Sequence, residues 1–186
     1  MEHLLSLFRR ILPALLLAAL LAAAIFVAGA SAAPAIQTPP AEPPQPAAGH
    51  GLYMANCAPC HGQTGKGDGP SAPGLGVPAT AFADYNVIAG LSFTEMFSVT
   101  RNGRMARMMP PWSSRLTDQQ IWDVVGYAWT LHTSAAEIAA GKAVYDQQCA
   151  ACHGPAGKGQ PATPDLSDFG RTAAVSQKAW AEILVA

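Results

Sequence analysis

Four cysteines and two histidines stand in the same five-residue arrangement at two places in this chain of 186 residues: Cys57-Ala-Pro-Cys60-His61 and Cys149-Ala-Ala-Cys152-His153. These are all the cysteines the sequence has. Thiols spaced three apart suit several chemistries. Zinc needs four ligands drawn into one site, and the two pairs lie about ninety residues apart. A dithiol redox centre has no use for the histidine that follows. Covalent attachment of haem c uses every position: two thioethers to the vinyl groups, and the adjacent imidazole as an axial ligand of the iron. The reading is two covalently attached haem c groups, with Cys57, Cys60, Cys149 and Cys152 as attachment points and His61 and His153 on the iron.

A second ligand type stands in Met108-Met109-Pro110-Pro111-Trp112. A thioether is a suitable sixth ligand for low-spin haem iron and raises its potential relative to a second histidine. Buried methionine is usually gap-filler in a core. Here the proline after Met109 bars a helix and fixes the backbone. The Met-Pro pair also falls just before a capped helix, which favours a ligand.

The elements that must position these groups occur twice. Gly49-x-x-x-Tyr53-x-x-x-Cys57 is matched by Gly141-x-x-x-Tyr145-x-x-x-Cys149, and Gly65-Lys66-Gly67 by Gly157-Lys158-Gly159. Pro78-Ala79-Thr80 then pairs with Pro161-Ala162-Thr163, which makes the second loop nine residues shorter. Such self-similarity reads as two domains of one kind, joined by a short hinge at 133–136. In the first, a helix is expected from Gly49 to the first cysteine, and a Gly/Pro loop from Gly62 to Pro78 suits backbone wrapped around a flat cofactor. A second helix is expected over Ser92–Asn102, and a last one capped by Thr117 with Gln120. The apolar face of that last helix is Ile121, Val124, Val125, Ala128 and Leu131. A unit this small needs the cofactor as part of its buried apolar surface.

Residues 49–132 resemble a class I cytochrome c domain, on the strength of Gly-x-x-x-aromatic, C-x-x-C-H-G, Met-Pro-x-Trp and the aromatic-bearing last helix. The resemblance implies an all-α fold, His61 and Met109 as the axial pair, and Gly49 and Tyr53 packed on the last helix near Tyr127. It selects Met109 over Met108 because the family's methionine directly precedes the proline. Residues 138–186 resemble the first part of a second such domain. No methionine or histidine follows His153, and the segment 179–186 corresponds roughly to the second helix of the first unit. That unit therefore reads as partial, in an incomplete sequence.

Residues 1–33 carry Arg9 and Arg10, then an uncharged run of eighteen residues from Ile11 to Ala28, then a small-residue Ala-Gly-Ala ending. A cleaved signal peptide and a retained membrane anchor both explain this segment, and both place the rest of the chain outside the cytoplasm. Residues 34–48 hold six prolines and read as a semi-rigid spacer. A formal charge of −1 gives no footing for a nucleic-acid partner.

A His/Met iron has no open position, so its chemistry is one-electron transfer. The expected function is that of an electron carrier between extracytoplasmic redox proteins, or a cytochrome subunit of a respiratory complex, and not an enzyme. The alternative is a peroxidase-like dihaem enzyme or gas sensor using an open position on the second haem. Arg101, Arg104, Arg107 and Arg115 occur with no acid between Glu95 and Asp118, and can either steer an acidic partner or hold propionates. His50 and His132 read as surface histidines, Trp112 and Trp129 as packing, and Lys66 and Lys158 as solvated.

Overall fold

The computed structural model describes Pro40 and residues 42–185. The apolar run Ile11–Ala28, and with it the signal or anchor, lies outside the described residues. The first repeat is built from α1 (Pro46–Asn56), α2 (Ala58–His61), α3 (Tyr85–Ile88), α4 (Phe93–Asn102) and α5 (Asp118–Thr130). The second has α6 (Ala135–Val144), a π-helical turn (Tyr145–Cys149), α7 (Ala150–His153), α8 (Phe169–Thr172) and α9 (Gln177–Val185). Among the described residues only two isolated bridges have β character. The expected all-α architecture is what the chain adopts. No helix among the described residues is long and apolar enough to cross a membrane.

Helix α1 starts earlier than the sequence suggests. Pro46 opens it, because the first turn of a helix has no use for that N–H. The residues just ahead are attached to the domain. Gln45 N–H donates to Asp123 Oδ1 at 2.8 Å, and Pro44 and Pro46 lie against Gly126. The last part of the proline-rich stretch is therefore packed structure, not spacer. The expected hinge at 133–136 is likewise a helix start: Ser134 and Glu137 form a capping box on α6.

The core sits between α1, α4 and α5. Of the expected apolar face, Ile121, Val124, Val125 and Ala128 are buried, while Leu131 is half-buried at the helix end. Helix α5 is buried all round from Ile121 to Gly126, since other groups cover its remaining sides. Trp122 fills one of those sides, stacked on Phe97 with ring centroids 4.0 Å apart. Capping boxes start two of these helices: Thr117 with Gln120 on α5, as expected, and Ser92 with Glu95 on α4.

The two repeats superpose in their local detail, with one correction to the sequence register. His61 bonds to the carbonyl of Thr80, whereas His153 bonds to that of Pro164. Asp84 caps α3, and Asp168 caps α8. Thr80 thus matches Pro164, and from there on the repeats are offset by 84 residues against 92 at the cysteines. The second loop is shorter by eight residues, not nine. The Pro-Ala-Thr string misleads by one position because backbone carbonyls, not side chains, set the equivalence.

Helices α1 and α5 approach closely at Gly49. A Cβ there would stand 2.0 Å from the Asp123 carbonyl oxygen, so the crossing requires glycine. Gly51, two residues on and on the other side of the same helix, has nothing within 4 Å. Gly49→Ala is expected to destabilise the protein by about 3 kcal/mol through overpacking. Gly51→Ala is expected to be neutral or to stabilise by up to about 1 kcal/mol through helix propensity. Denaturant unfolding of both variants checks the contrast.

Candidate haem-attachment sites

Each Cys-x-x-Cys-His string is one turn of helix. Cys57 has helical dihedrals (φ −108°, ψ −41°) and α2 follows it directly. Cys60 N–H and His61 N–H both donate to the Cys57 carbonyl, at 3.0 and 2.9 Å. Positions i, i+3 and i+4 of a helix share a face, so both thiols and the imidazole are presented together. The turn ends on Gly62, whose φ of 79° and ψ of 152° disfavour any side chain. The second repeat copies this: Cys149 at φ −110° and ψ −33°, then α7, then Gly154 at φ 74° and ψ 160°.

The imidazole is oriented from behind. His61 Nδ1 lies 3.0 Å from the Thr80 carbonyl oxygen. With the proton on Nδ1, Nε2 is left as the basic nitrogen for a metal. Burial lowers the His61 pKa, against a smaller opposing effect of the Thr80 bond, and so favours the neutral ring that ligation needs. The ring is stacked on Phe82 at 4.6 Å. His153 Nδ1 meets the Pro164 carbonyl at 3.2 Å in the same way. A tyrosine ties the turn to the preceding helix: Tyr53 Oη–H donates to the Gly62 carbonyl at 2.8 Å, and Tyr145 Oη–H to that of Gly154 at 2.7 Å.

The methionine loop lines the same cleft as His61. Arg104 and Met109 exchange backbone hydrogen bonds, Arg104 N–H to Met109 O at 2.8 Å and Met109 N–H to Arg104 O at 3.2 Å. Met108 closes this hairpin-like loop in the left-handed region at φ 58°. Trp112 N–H then bonds back to Thr100 O on α4 at 3.1 Å. Backbone pairing positions Met109, and Pro110 only forbids alternatives. Met108 is exposed, while Met109 is half-buried.

The cleft has about 700 Å³ of empty space, part of it open solvent. Cys57, Cys60 and His61 line it, and Met108, Met109 and Trp112 line it as well. Leu75, Pro78 and Val99 make its sides apolar. Burial, with a smaller contribution from Cys60, pushes the Cys57 thiol up to about 12, so it is a neutral thiol in an apolar wall. That is unlike the low-pKa thiolate of a dithiol redox centre. A cleft that gathers two thiols, a tied-back imidazole, a methionine and apolar side chains in one lining fits a haem. The second repeat supplies the same thiol–imidazole turn, with Cys152 exposed.

Several residues depart from their sequence reading. Arg101 is engaged by Asp118 at 2.9 Å, and Arg115 lies over the Trp112 ring at 5.5 Å. Arg104 and Arg107 line the cleft. Tyr53 and Tyr127 do pack together, with centroids 5.1 Å apart, as the resemblance implied. His50 is exposed and packs on Tyr127. His132 is not a plain surface residue: it is half-buried and meets Gln177 of the second repeat at 2.9 Å. The carbonyls of Thr80 and Pro164 escaped sequence reasoning because every residue type carries that group.

Comparison with known proteins agrees with this geometry. Residues 44–127 match the family model for cytochrome c oxidase, cbb3-type, subunit III, and residues 138–182 match that for cytochrome c. Cytochrome c6 of Bryopsis maxima is 35% identical over 81 residues, which cover 44% of this chain and 85% of that protein. The chain belongs to the c-type cytochromes, with two cytochrome c domains and two covalently bound haem c groups. Within that class it is similar to the cbb3-type cytochrome c oxidase subunit FixP of Rhizobium etli, 34% identical over 129 residues. It is also similar to the subunit CcoP of Rubrivivax gelatinosus, 32% identical over 124 residues. These matches cover 66% and 65% of this chain, and it spans 44% and 38% of the two relatives' lengths.

The tyrosine bonds give a graded test. Tyr53 is 1% exposed, and its acceptor Gly62 is buried with it. Tyr53→Phe removes one of the two hydrogen bonds that carbonyl accepts, the other coming from Gly65 N–H, and is expected to cost about 1.5 kcal/mol. Tyr145 is only half-buried, and Tyr145→Phe is expected to cost under about 1 kcal/mol. Thermal unfolding of the two single variants measures the difference.

Proposed function

We propose that the chain is a dihaem electron-transfer unit of a respiratory oxidase resembling the cbb3 type. In this reading it stands on the outer face of the cytoplasmic membrane and passes single electrons between redox proteins. The observation that carries the reading is the first cleft, where a tied-back imidazole and a backbone-fixed thioether face one space. Bound haem c supplies reversible one-electron chemistry. The residues around it do the rest. Cys57 and Cys60 hold the group covalently, and Cys149 and Cys152 do so in the second domain. His61 and Met109 would be the protein ligands of the first iron, and an iron held by both would exchange electrons rather than bind oxygen or peroxide. Thr80 O keeps the His61 proton on Nδ1, and the cleft's apolar sides limit water. His153 is the corresponding iron ligand in the second domain.

The segment 1–33 serves this function either as a signal or as an anchor, and residues 49–132 and 138–186 are the two haem-bearing portions. Arg104 and Arg107 stand at the rim of the cleft, where positive charge would draw in an acidic redox partner.

Met109→Ala should abolish the methionine–iron charge-transfer band of the first domain and make it bind carbon monoxide when reduced. Met108→Ala should do neither. The reverse pattern in visible spectra would assign the ligand to Met108. For the rim, Arg104→Glu should slow electron exchange with an acidic partner and flatten its dependence on ionic strength. Stopped-flow rates unchanged by the substitution would count against steering.

A further inference from the structure

The two repeats meet through the same element in each. Thr94 N–H, at the start of α4, donates to the Ala173 carbonyl at 3.1 Å. Lys178 N–H, at the start of α9, donates to the Ala89 carbonyl at 2.9 Å. The offset of 84 carries Thr94 onto Lys178 and Ala89 onto Ala173. The two bonds are therefore one contact made twice in opposite directions. That reciprocity is the mark of an isologous interface between equal partners, here within a single chain.

The amides involved have no partner of their own. Thr94 and Lys178 are the second residues of their helices, and the first four N–H groups of a helix find no acceptor inside it. The next amides are already served by side chains, Glu95 N–H by Ser92 Oγ and Ala179 N–H by Ser176 Oγ. Each repeat thus completes the cap of the other's helix. Small residues permit the approach: Ala89 and Ala173 are both buried.

An aromatic plug closes the same seam. Phe169, from α8, sets its ring edge-on to Phe93 and to Trp122 of the first repeat, each at 5.4 Å. Gln177 adds its contact with His132 at the end of α5.

We propose that the segments 84–94 and 168–178 are dedicated docking surfaces for each other, that they join the two haem-binding repeats into one rigid body, and that Phe169 is the positioning residue that locks the joint. The purpose, a fixed path for an electron from one repeat to the other, rests on the electron-carrier reading; the joint itself does not. Amide hydrogen exchange on the haem-loaded full chain tests it. Thr94 and Lys178 amides should be protected in the native protein, although nothing within their own helices can protect them. Phe169→Ala should speed exchange at both together by about tenfold or more, with the amides of Cys60 and His61 unchanged. Phe169→Leu should restore part of the protection.

Free exchange at either amide in the unsubstituted protein would overturn the joint, and this needs no variant to fold. So would a Phe169→Ala protein in which both amides stay protected. If the joint opens while both haems still reduce and reoxidise, the carrier reading stands. If protection is present but no haem is redox-active, the joint stands and the carrier reading falls.

Discussion

The hydrogen bond from a histidine Nδ1–H to a loop carbonyl is the contact on which the rest of each repeat depends. An imidazole can present either nitrogen, and a metal ligand must present one of them reliably. Thr80 O and Pro164 O make that choice. For the carbonyl to arrive there, the loop after the cysteine turn must double back under the ring. Positive-φ glycines at 62, 65 and 67, and again at 154, 157 and 159, give the loop that path. The tyrosine one helix back bonds to the first carbonyl of the loop and fixes its origin. The Gly/Pro composition of this region follows from the need to aim one nitrogen.

The rest of the first domain closes the space that this nitrogen faces. Helix α4 and the paired loop at Arg104 and Met109 bring Met109 into the lining of the same cleft. Helices α1 and α5 cross at Gly49 behind the site, and the buried stack of Trp122 on Phe97 keeps α4 and α5 together. The second repeat has the aiming half of this machinery in nearly the same dihedrals. It then spends its next elements, α8 and the start of α9, on the first repeat. Phe169 belongs to one repeat by sequence and to the other's aromatic core by position.

Much of this was legible before any coordinates. The cysteine–histidine turns are readable as candidate attachment sites because cysteine and histidine chemistry is tied to side chains at fixed spacing. The same holds for the α5 cap, where Thr117 and Gln120 act through their side chains, and for the Tyr53–Tyr127 packing that the family resemblance implied. What escaped reading rests on backbone or on distant contacts. The equivalence of Thr80 with Pro164 is set by carbonyls. The loop that holds Met109 is set by amide pairing across Arg104. Gln45 and Pro46 looked like spacer because their respective partners, Asp123 and Gly126, lie far along the chain. His132 looked like surface because Gln177, its partner, belongs to the other repeat. Trp122 fell outside the helical stripe because α5 is covered on more than one side.

The central claim is that both cysteine–histidine turns hold haem. Peptide mass mapping of the native protein after proteolysis tests it most directly. The account predicts that the peptide containing Cys57, Cys60 and His61 and the peptide containing Cys149, Cys152 and His153 each carry the mass of one covalently bound haem, with no free thiol at any of the four cysteines. A second peptide recovered with free or disulfide-bonded cysteines would contradict it and reduce the chain to a one-haem protein.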